Sequence, residues 1–206
     1  MSYEPVEDGE LAAVVTYLEM RSAPRAAIPH SPLSLRRIEQ PAAEQYRQLF
    51  RLVGAPWLWF SRLIMDDEAL EVLIRDPAVE LYAVEDEQSR DVGMLELDFR
   101  QAGECELAFI GLVPELSGKG HGRWLLAEAV SRAWRDGVAR VHVHTCSLDH
   151  PAALSAYRRA GFTPYKRGIE RFPDPRTLGI LPKDSAPHVP LLGTDGRAAP
   201  LPVRCT

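Results

Sequence analysis

The chain is poor in cysteine, in long apolar runs and in surplus charge, and each shortage removes a class of protein. Its three cysteines, Cys105, Cys146 and Cys205, are odd in number and have no close pairing, which argues against a disulfide framework. No apolar run approaches the roughly 18 residues that a membrane-crossing helix needs. The 24 basic and 29 acidic residues leave a net charge of −5, so the bulk electrostatics do not suggest nucleic acid. The start, Met1-Ser-Tyr-Glu-Pro-Val-Glu-Asp-Gly-Glu10, is acidic and lacks the basic and apolar stretches of a secretory leader, so a cytoplasmic location is the expectation. No internal repeat is evident. With 206 residues, 46% of them hydrophobic, the chain is long enough for one domain with a real core.

Two common phosphate-binding signatures are missing as well. The most informative stretch is Leu112-Val-Pro-Glu-Leu-Ser-Gly-Lys-Gly-His-Gly-Arg-Trp-Leu-Leu126, an apolar run followed by glycines at 118, 120 and 122 and then a helical pattern. A P-loop needs Ser or Thr after Gly-Lys, and here Gly120 follows Lys119. The dinucleotide fingerprint ends on a GxxG spacing, whereas these glycines alternate. Strand, glycine-rich turn and helix still aim unpaired backbone N–H groups at one spot, where the helix macrodipole adds roughly half a positive charge. The segment is an anion cradle suited to a pyrophosphate, with Lys119 and Arg123 in a position to add charge.

Spacing of apolar residues predicts strands at Ala12–Met20, Val79–Glu85, Val92–Arg100, Cys105–Val113, Val138–Cys146 and Phe162–Phe172. Helices are expected at Ala42–Val53 after Pro41, at Asp66–Arg75, from the glycine turn to Asp136, and at Pro151–Ala160. Residues 22–40 have no clear period and are expected to be a loop. Residues 173–206 hold seven prolines and few periodic apolar positions, and are expected to be an extended tail.

Ser117-Gly-Lys-Gly-His-Gly122 resembles the Gln/Arg-x-x-Gly-x-Gly/Ala pattern of the GNAT superfamily, the acetyl-CoA-dependent N-acetyltransferases, with Ser117 where Gln or Arg usually stands. Downstream, His150-Pro-Ala-Ala153-Leu-Ser-Ala-Tyr157-Arg-Arg-Ala-Gly161-Phe162 is similar to the Asn-x-x-Ala-x-x-x-Tyr-x-x-x-Gly-Phe segment of the same superfamily, with His150 replacing Asn. Both motifs occur in the family's order, and the resemblance covers roughly residues 60–170. It implies an α/β (α+β) GNAT fold, a mixed, largely antiparallel sheet with helices on both faces. One such domain would occupy 1–172, with 173–206 as a Pro-rich extension. It implies acetyl-CoA as cosubstrate, its pyrophosphate at Gly118, Lys119, Gly120, His121, Gly122 and Arg123. The pantetheine amides would meet the backbone of Leu112 and Val113, and His150 would cap the short helix or touch the coenzyme.

Acetyl transfer needs a neutral amine, yet an alkyl amine with pKa near 10.4 arrives protonated and requires a base. The resemblance points to Glu106, eleven residues before Ser117, as that base. Strand alternation predicts Glu104, Glu106, Ala108, Ile110 and Leu112 on one face, which leaves Glu104 as an alternative base or an acceptor contact. Tyr157 matches the family tyrosine that faces the coenzyme sulfur and would act as general acid. Against these roles stand solvated glutamates at a strand start and a tyrosine packed on the sheet.

Trp57, Trp59 and Phe60 form an aromatic cluster in the region that lines the acceptor side in this superfamily, and either wall a pocket or cover the core. His142, His144 and Cys146 alternate along a strand with His150 nearby, a spacing open to zinc but more often met as polar residues, so no metal is expected. The leading reading is an N-acetyltransferase acting by direct attack on a small-molecule primary amine. No covalent intermediate is expected, because no cysteine sits at the proposed reactive spot with a base beside it. A protein or peptide acceptor, a non-catalytic acyl-CoA-binding module and a homodimer remain open.

Overall fold

The computed structural model describes residues 3–25 and 27–193. Cys205 and the last two of the seven C-terminal prolines, Pro200 and Pro202, lie outside these residues. The elements in chain order are β1 (Glu10–Met20), β2 (Ser34–Ile38), α1 (Ala43–Gly54), α2 (Asp67–Ile74), β3 (Val79–Glu85), β4 (Asp91–Asp98), β5 (Glu104–Leu112), α3 (His121–Ala133), β6 (Arg140–Cys146), α4 (Ala153–Arg159) and β7 (Thr163–Pro173). One seven-stranded sheet has the order β2-β3-β4-β5-β6-β1-β7. Every neighbouring pair is antiparallel except β5 and β6, which are parallel and joined by the crossover helix α3.

Two apolar clusters hold helices on opposite faces of that sheet. Tyr46, Leu49, Phe50 and Val53 of α1 and Leu70 and Ile74 of α2 pack with Leu81, Ala83 and Met94. On the other face Leu125, Leu126, Ala129, Val130 and Ala133 of α3 pack with Leu95, Leu97, Leu107, Val141 and Val143, and Tyr157 of α4 joins them. The α2 start behaves as its acids predict: Asp66 accepts the backbone N–H of Ala69 at 2.7 Å.

Three features depart from the sequence reading. Residues 34–38 form an edge strand where a loop was expected. Its two arginines hid the pattern, and they anchor it: Arg36 pairs with Glu85 and Asp91, and Arg37 with Glu80. Second, β5 carries a bulge: Leu97 faces Leu107 while its neighbour Glu96 faces Phe109, leaving Ala108 as the extra residue. Face parity therefore flips. Ile110 and Leu112 join Cys105 and Leu107 on the α3 face, while Phe109 packs toward α1 with Gly111 beside Val53. The single face expected for Glu104 through Leu112 does not exist.

Third, the chain after β7 is packed. Leu181 and Ala186 close over Leu58. Arg176, 2% exposed, forks onto Asp174 and donates to the carbonyls of Ser185, Ala186 and Val189. A buried guanidinium satisfied by one carboxylate and three carbonyls fixes this segment in place.

Candidate active site

The parallel pairing of β5 with β6 covers only Glu104–Arg140, Cys105–Val141 and Glu106–His142. Beyond Glu106 the two strands part, and a cleft of about 2070 Å³ opens between them. That exceeds the ~300–1,000 Å³ of an ordinary small-molecule pocket and leaves room for more than one small ligand. Residues Leu107 to Leu112 of β5 and His144 to Cys146 of β6 line it.

At one end lies the glycine turn. Gly118 and Gly120 hold φ of +76° and +85°, a region that side-chain residues rarely adopt. Gly120 caps α3, and no side chain caps the helix start. A Cβ built on Gly118, Gly120 or Gly122 meets nothing within 4 Å, so the space before these amides is open. An uncapped helix start facing open space fits a pyrophosphate. Gly118, Gly120, Gly122 and Arg123 line the cleft, whereas Lys119 and His121 do not. His121 instead places Nδ1 3.2 Å from the hydroxyl of Ser31.

The strand edge leaves the Leu112 backbone open and engages that of Val113. The Val113 N–H donates to the carbonyl of Val92 at 2.9 Å, so it is not free for a ligand. By the alternation of an antiparallel ladder, Leu112 turns its own N–H and C=O toward the opened edge.

Glu106 lies where the strands part, with one carboxylate oxygen 3.2 Å from Nδ1 of His144. Burial pushes the Glu106 carboxyl up, but the hydrogen bond and charge of His144, with the charge of His142, outweigh it and hold it below the ordinary value. The Glu106 hydrogen bond holds the His144 imidazole above its ordinary value, against burial. Glu104 is not part of the site: Arg140 holds its carboxylate at 2.7 Å, and it does not line the cleft.

Tyr157 lines the cleft from α4, its ring edge-on to Phe162. Burial, with the charge of Asp149 adding to it, pushes its phenol well above the ordinary value, so the hydroxyl stays protonated at neutral pH. His150 caps the turn before α4, its Nδ1 accepting the Ala152 N–H at 3.1 Å. Cys146 also stands in the cleft wall. Burial, with Asp149 beside it, pushes its thiol up to about 11, which suppresses the thiolate a nucleophile needs.

The aromatic cluster both lines the cleft and packs. Trp59 meets Phe50 and Phe109 at 5.6 and 5.2 Å, Trp57 meets His150 and His188 at 5.1 and 5.6 Å, and Phe60 meets Phe172 at 5.2 Å. Sequence reasoning missed Asp149, which lines the cleft and accepts from Trp59, Thr145 and the Cys146 N–H. It also missed Glu96, fully buried in β4 between the Tyr46 hydroxyl and Arg62 of the cleft wall. A lone acid in an apolar strand was the available signal. His142 and His144 stand beside Glu104 and Glu106, and no metal-binding group of three occurs among the described residues.

Among solved structures, the fold is similar to a GCN5-related N-acetyltransferase from Sphaerobacter thermophilus at 19% identity and TM-score 0.59, covering 82% of this chain and 52% of that one. It is similar to a spermidine N-acetyltransferase from Vibrio cholerae at 23% identity and TM-score 0.54, covering 69% and 94%. An aminoglycoside acetyltransferase from an uncultured soil metagenomic sample matches at 19% and 0.53, covering 68% and 93%. The chain thus spans about half the length of the Sphaerobacter thermophilus protein. No curated protein matches the chain. The model of the acetyltransferase (GNAT) family matches residues 42–162, more than half of the sequence and the whole of both motifs, and the chain belongs to that family.

Proposed function

We propose that this chain transfers an acetyl group from acetyl-CoA to the primary amine of a small molecule, by direct attack of the amine. One observation carries this reading: β5 and β6 part immediately after Glu106, with the uncapped glycine turn at one end of the opening and Tyr157 in its wall. Gly118, Gly120, Gly122 and Arg123 would hold the pyrophosphate, and the opened edge at Leu112 would hold the pantetheine amides. Acetyl-CoA, when bound, supplies a thioester-activated acetyl group. Glu106, paired with His144, then serves the amine side of the proton chemistry and Tyr157 the sulfur side. The high thiol pKa of Cys146 favours direct attack over an acyl-cysteine.

Trp57, Trp59 and Phe60 give the acceptor side apolar and cation-attracting faces, which suit a small amine with an apolar body. The shared fold with acetyltransferases named for spermidine and aminoglycosides supports a small amine acceptor. The test is calorimetry with acetyl-CoA, followed by release of free CoA thiol over a panel of small amines and one lysine-containing peptide. Binding with turnover on small amines is expected. Turnover on the peptide alone would reverse the acceptor assignment, and binding without any turnover would make the chain an acyl-CoA-binding module.

A further inference from the structure

The amine-side proton work lies between two side chains, and their geometry divides it. Resting on the acetyl-transfer reading, we propose that His144 takes the proton from the acceptor amine, while Glu106 is a positioning residue that fixes its ring. His142 is the last residue of β6 to pair with β5, so His144, two residues on and on the same face, stands at the opening itself. Its Nδ1 is engaged by Glu106, and Nε2 has no hydrogen-bond partner among the described residues. Tyr17 of β1 lies against the ring, centroids 5.8 Å apart. A carboxylate on one nitrogen and an aromatic ring alongside leave the other nitrogen oriented to accept a proton, the logic of a carboxylate–imidazole pair.

The surroundings agree. His144 is faced by Glu106 from β5, by Glu170 from β7 and by Asp149 from the loop after β6, with His142 on its own strand. Lys166 lies over the Tyr17 ring at 4.9 Å, and Tyr165 is beside it. The three carboxylates attract an alkylammonium to this point. An imidazole titrating above its ordinary value is a better base near neutral pH than a carboxylate held below its own. The ammonium gives one proton to Nε2, the amine nitrogen bonds to the acetyl carbon, and the carbon–sulfur bond breaks. One nitrogen proton ends on sulfur by way of Tyr157, the other leaves to solvent through His144, and the products are amide, thiol and one released proton.

The test has two readouts on the full chain. NMR titration of the histidine ring protons is expected to place His144 above the ordinary imidazole value, and Glu106→Gln is expected to lower it. In CoA-release assays with a reacting small amine, His144→Gln is expected to lower kcat about 100-fold and remove the acidic limb of the pH–rate profile, with acetyl-CoA affinity kept. Glu106→Gln should move that limb to lower pH, and His142→Gln, outside the cleft, should leave it in place. A His144→Gln variant that keeps rate and limb overturns the proposal while acetyl transfer stands. A wild-type protein that releases no CoA overturns the acetyl-transfer reading and this proposal with it.

Discussion

The indole N–H of Trp59 donates to Oδ1 of Asp149 at 3.2 Å, joining the turn after α1 to the loop after β6. The other oxygen of Asp149 accepts from the Thr145 hydroxyl and the Cys146 N–H, both at 2.8 Å. Asp149 therefore fixes the end of β6 and one aromatic wall at once. This divides the aromatic cluster by role.

Trp59 packs on Phe50 and Phe109 and fills the space where a Cβ on Gly54 would sit, 2.5 Å from its own Cβ. Trp59→Ala should cost about 2–3 kcal/mol, below the full range for a buried Trp because the ring is partly exposed. At ~2–4 °C per kcal/mol for a chain of this size, the melting temperature should fall by roughly 5–10 °C. Among the described residues Trp57 meets only the rings of His150 and His188, so Trp57→Ala should keep its melting temperature and raise KM for the amine. Equal melting of the two variants would contradict this division.

Gly122 separates coenzyme approach from backbone strain. Gly120 needs a positive φ, so any side chain there disturbs the turn itself, whereas Gly122 lies in the first turn of α3 without that constraint. Gly122→Val should fold normally while its methyls fill the space before the amides. With acetyl-CoA at 100 times Kd the wild type should gain about 2.7 kcal/mol, and the variant under about 1. Thermal shift with and without the ligand reads this directly. Undiminished stabilisation would move the pyrophosphate elsewhere.

The parts of the site that were legible are those where one residue type answers one backbone need. Glycines at positive φ, a proline after a strand and a tyrosine at fixed spacing before Gly161 announce themselves singly. The illegible parts depend on pairs distant in the chain. Glu104 and Glu106 look alike in sequence, and only the pairing of β5 with β6 gives one Arg140 and the other His144. The bulge at Ala108 adds one residue without changing composition, so the alternation rule carried straight through it. Arg176 lies among prolines in a stretch without periodicity, and its burial follows from carbonyls up to 13 residues on.

Tyr157→Phe is a narrow test of the sulfur-side role. The hydroxyl has no hydrogen-bond partner among the described residues, and the ring keeps its edge-on contact with Phe162. Removing the oxygen should leave melting and acetyl-CoA affinity unchanged while kcat falls by 10-fold or more, a general acid being worth typically ~10²–10⁴-fold. Because burial keeps the phenol protonated, no loss of this role is expected on raising pH through the ordinary tyrosine value. Wild-type kcat in the Phe variant, with chemistry rate-limiting, would return Tyr157 to packing.

The Glu106–His144 pair should give a pH-dependent stability coupling. Glu106 titrates below its ordinary 4.5 when folded, so its contribution is present above that value and lost as pH falls through the folded one. His144 titrates above its ordinary 6.5, so its contribution is present below 6.5 and lost as pH rises through the folded value. Both contribute fully between 4.5 and 6.5. Both side chains are partly exposed, so a double-mutant cycle with Glu106→Gln and His144→Gln should show about 0.2–1 kcal/mol at pH 5.5. At pH 9 the coupling should vanish. Denaturant unfolding at the two pH values measures it, and a coupling that persists at pH 9 would show an uncharged hydrogen bond instead.

The buried acid of β4 gives the largest expected effect. Glu96 has no exposed surface, accepts the Tyr46 hydroxyl on one oxygen, and meets Arg62 at 2.8 Å on the other. Arg62 also lies over the Phe109 ring, and its buried Nε has no hydrogen-bond partner among the described residues. Glu96 opposes Phe109 at the bulge, so this ion pair supports the part of β5 that forms the cleft wall. Glu96→Gln leaves the guanidinium uncompensated and should cost about 3–5 kcal/mol, the range for breaking a buried pair from one side. Glu96→Leu combined with Arg62→Met removes both charges and should be less destabilised than Glu96→Gln alone. The comparison by denaturant unfolding is decisive, because a pair that mattered only through its packing would order the two variants the other way. A Glu96→Gln variant within about 1 kcal/mol of wild type would mean that Arg62 finds water through the cleft once released.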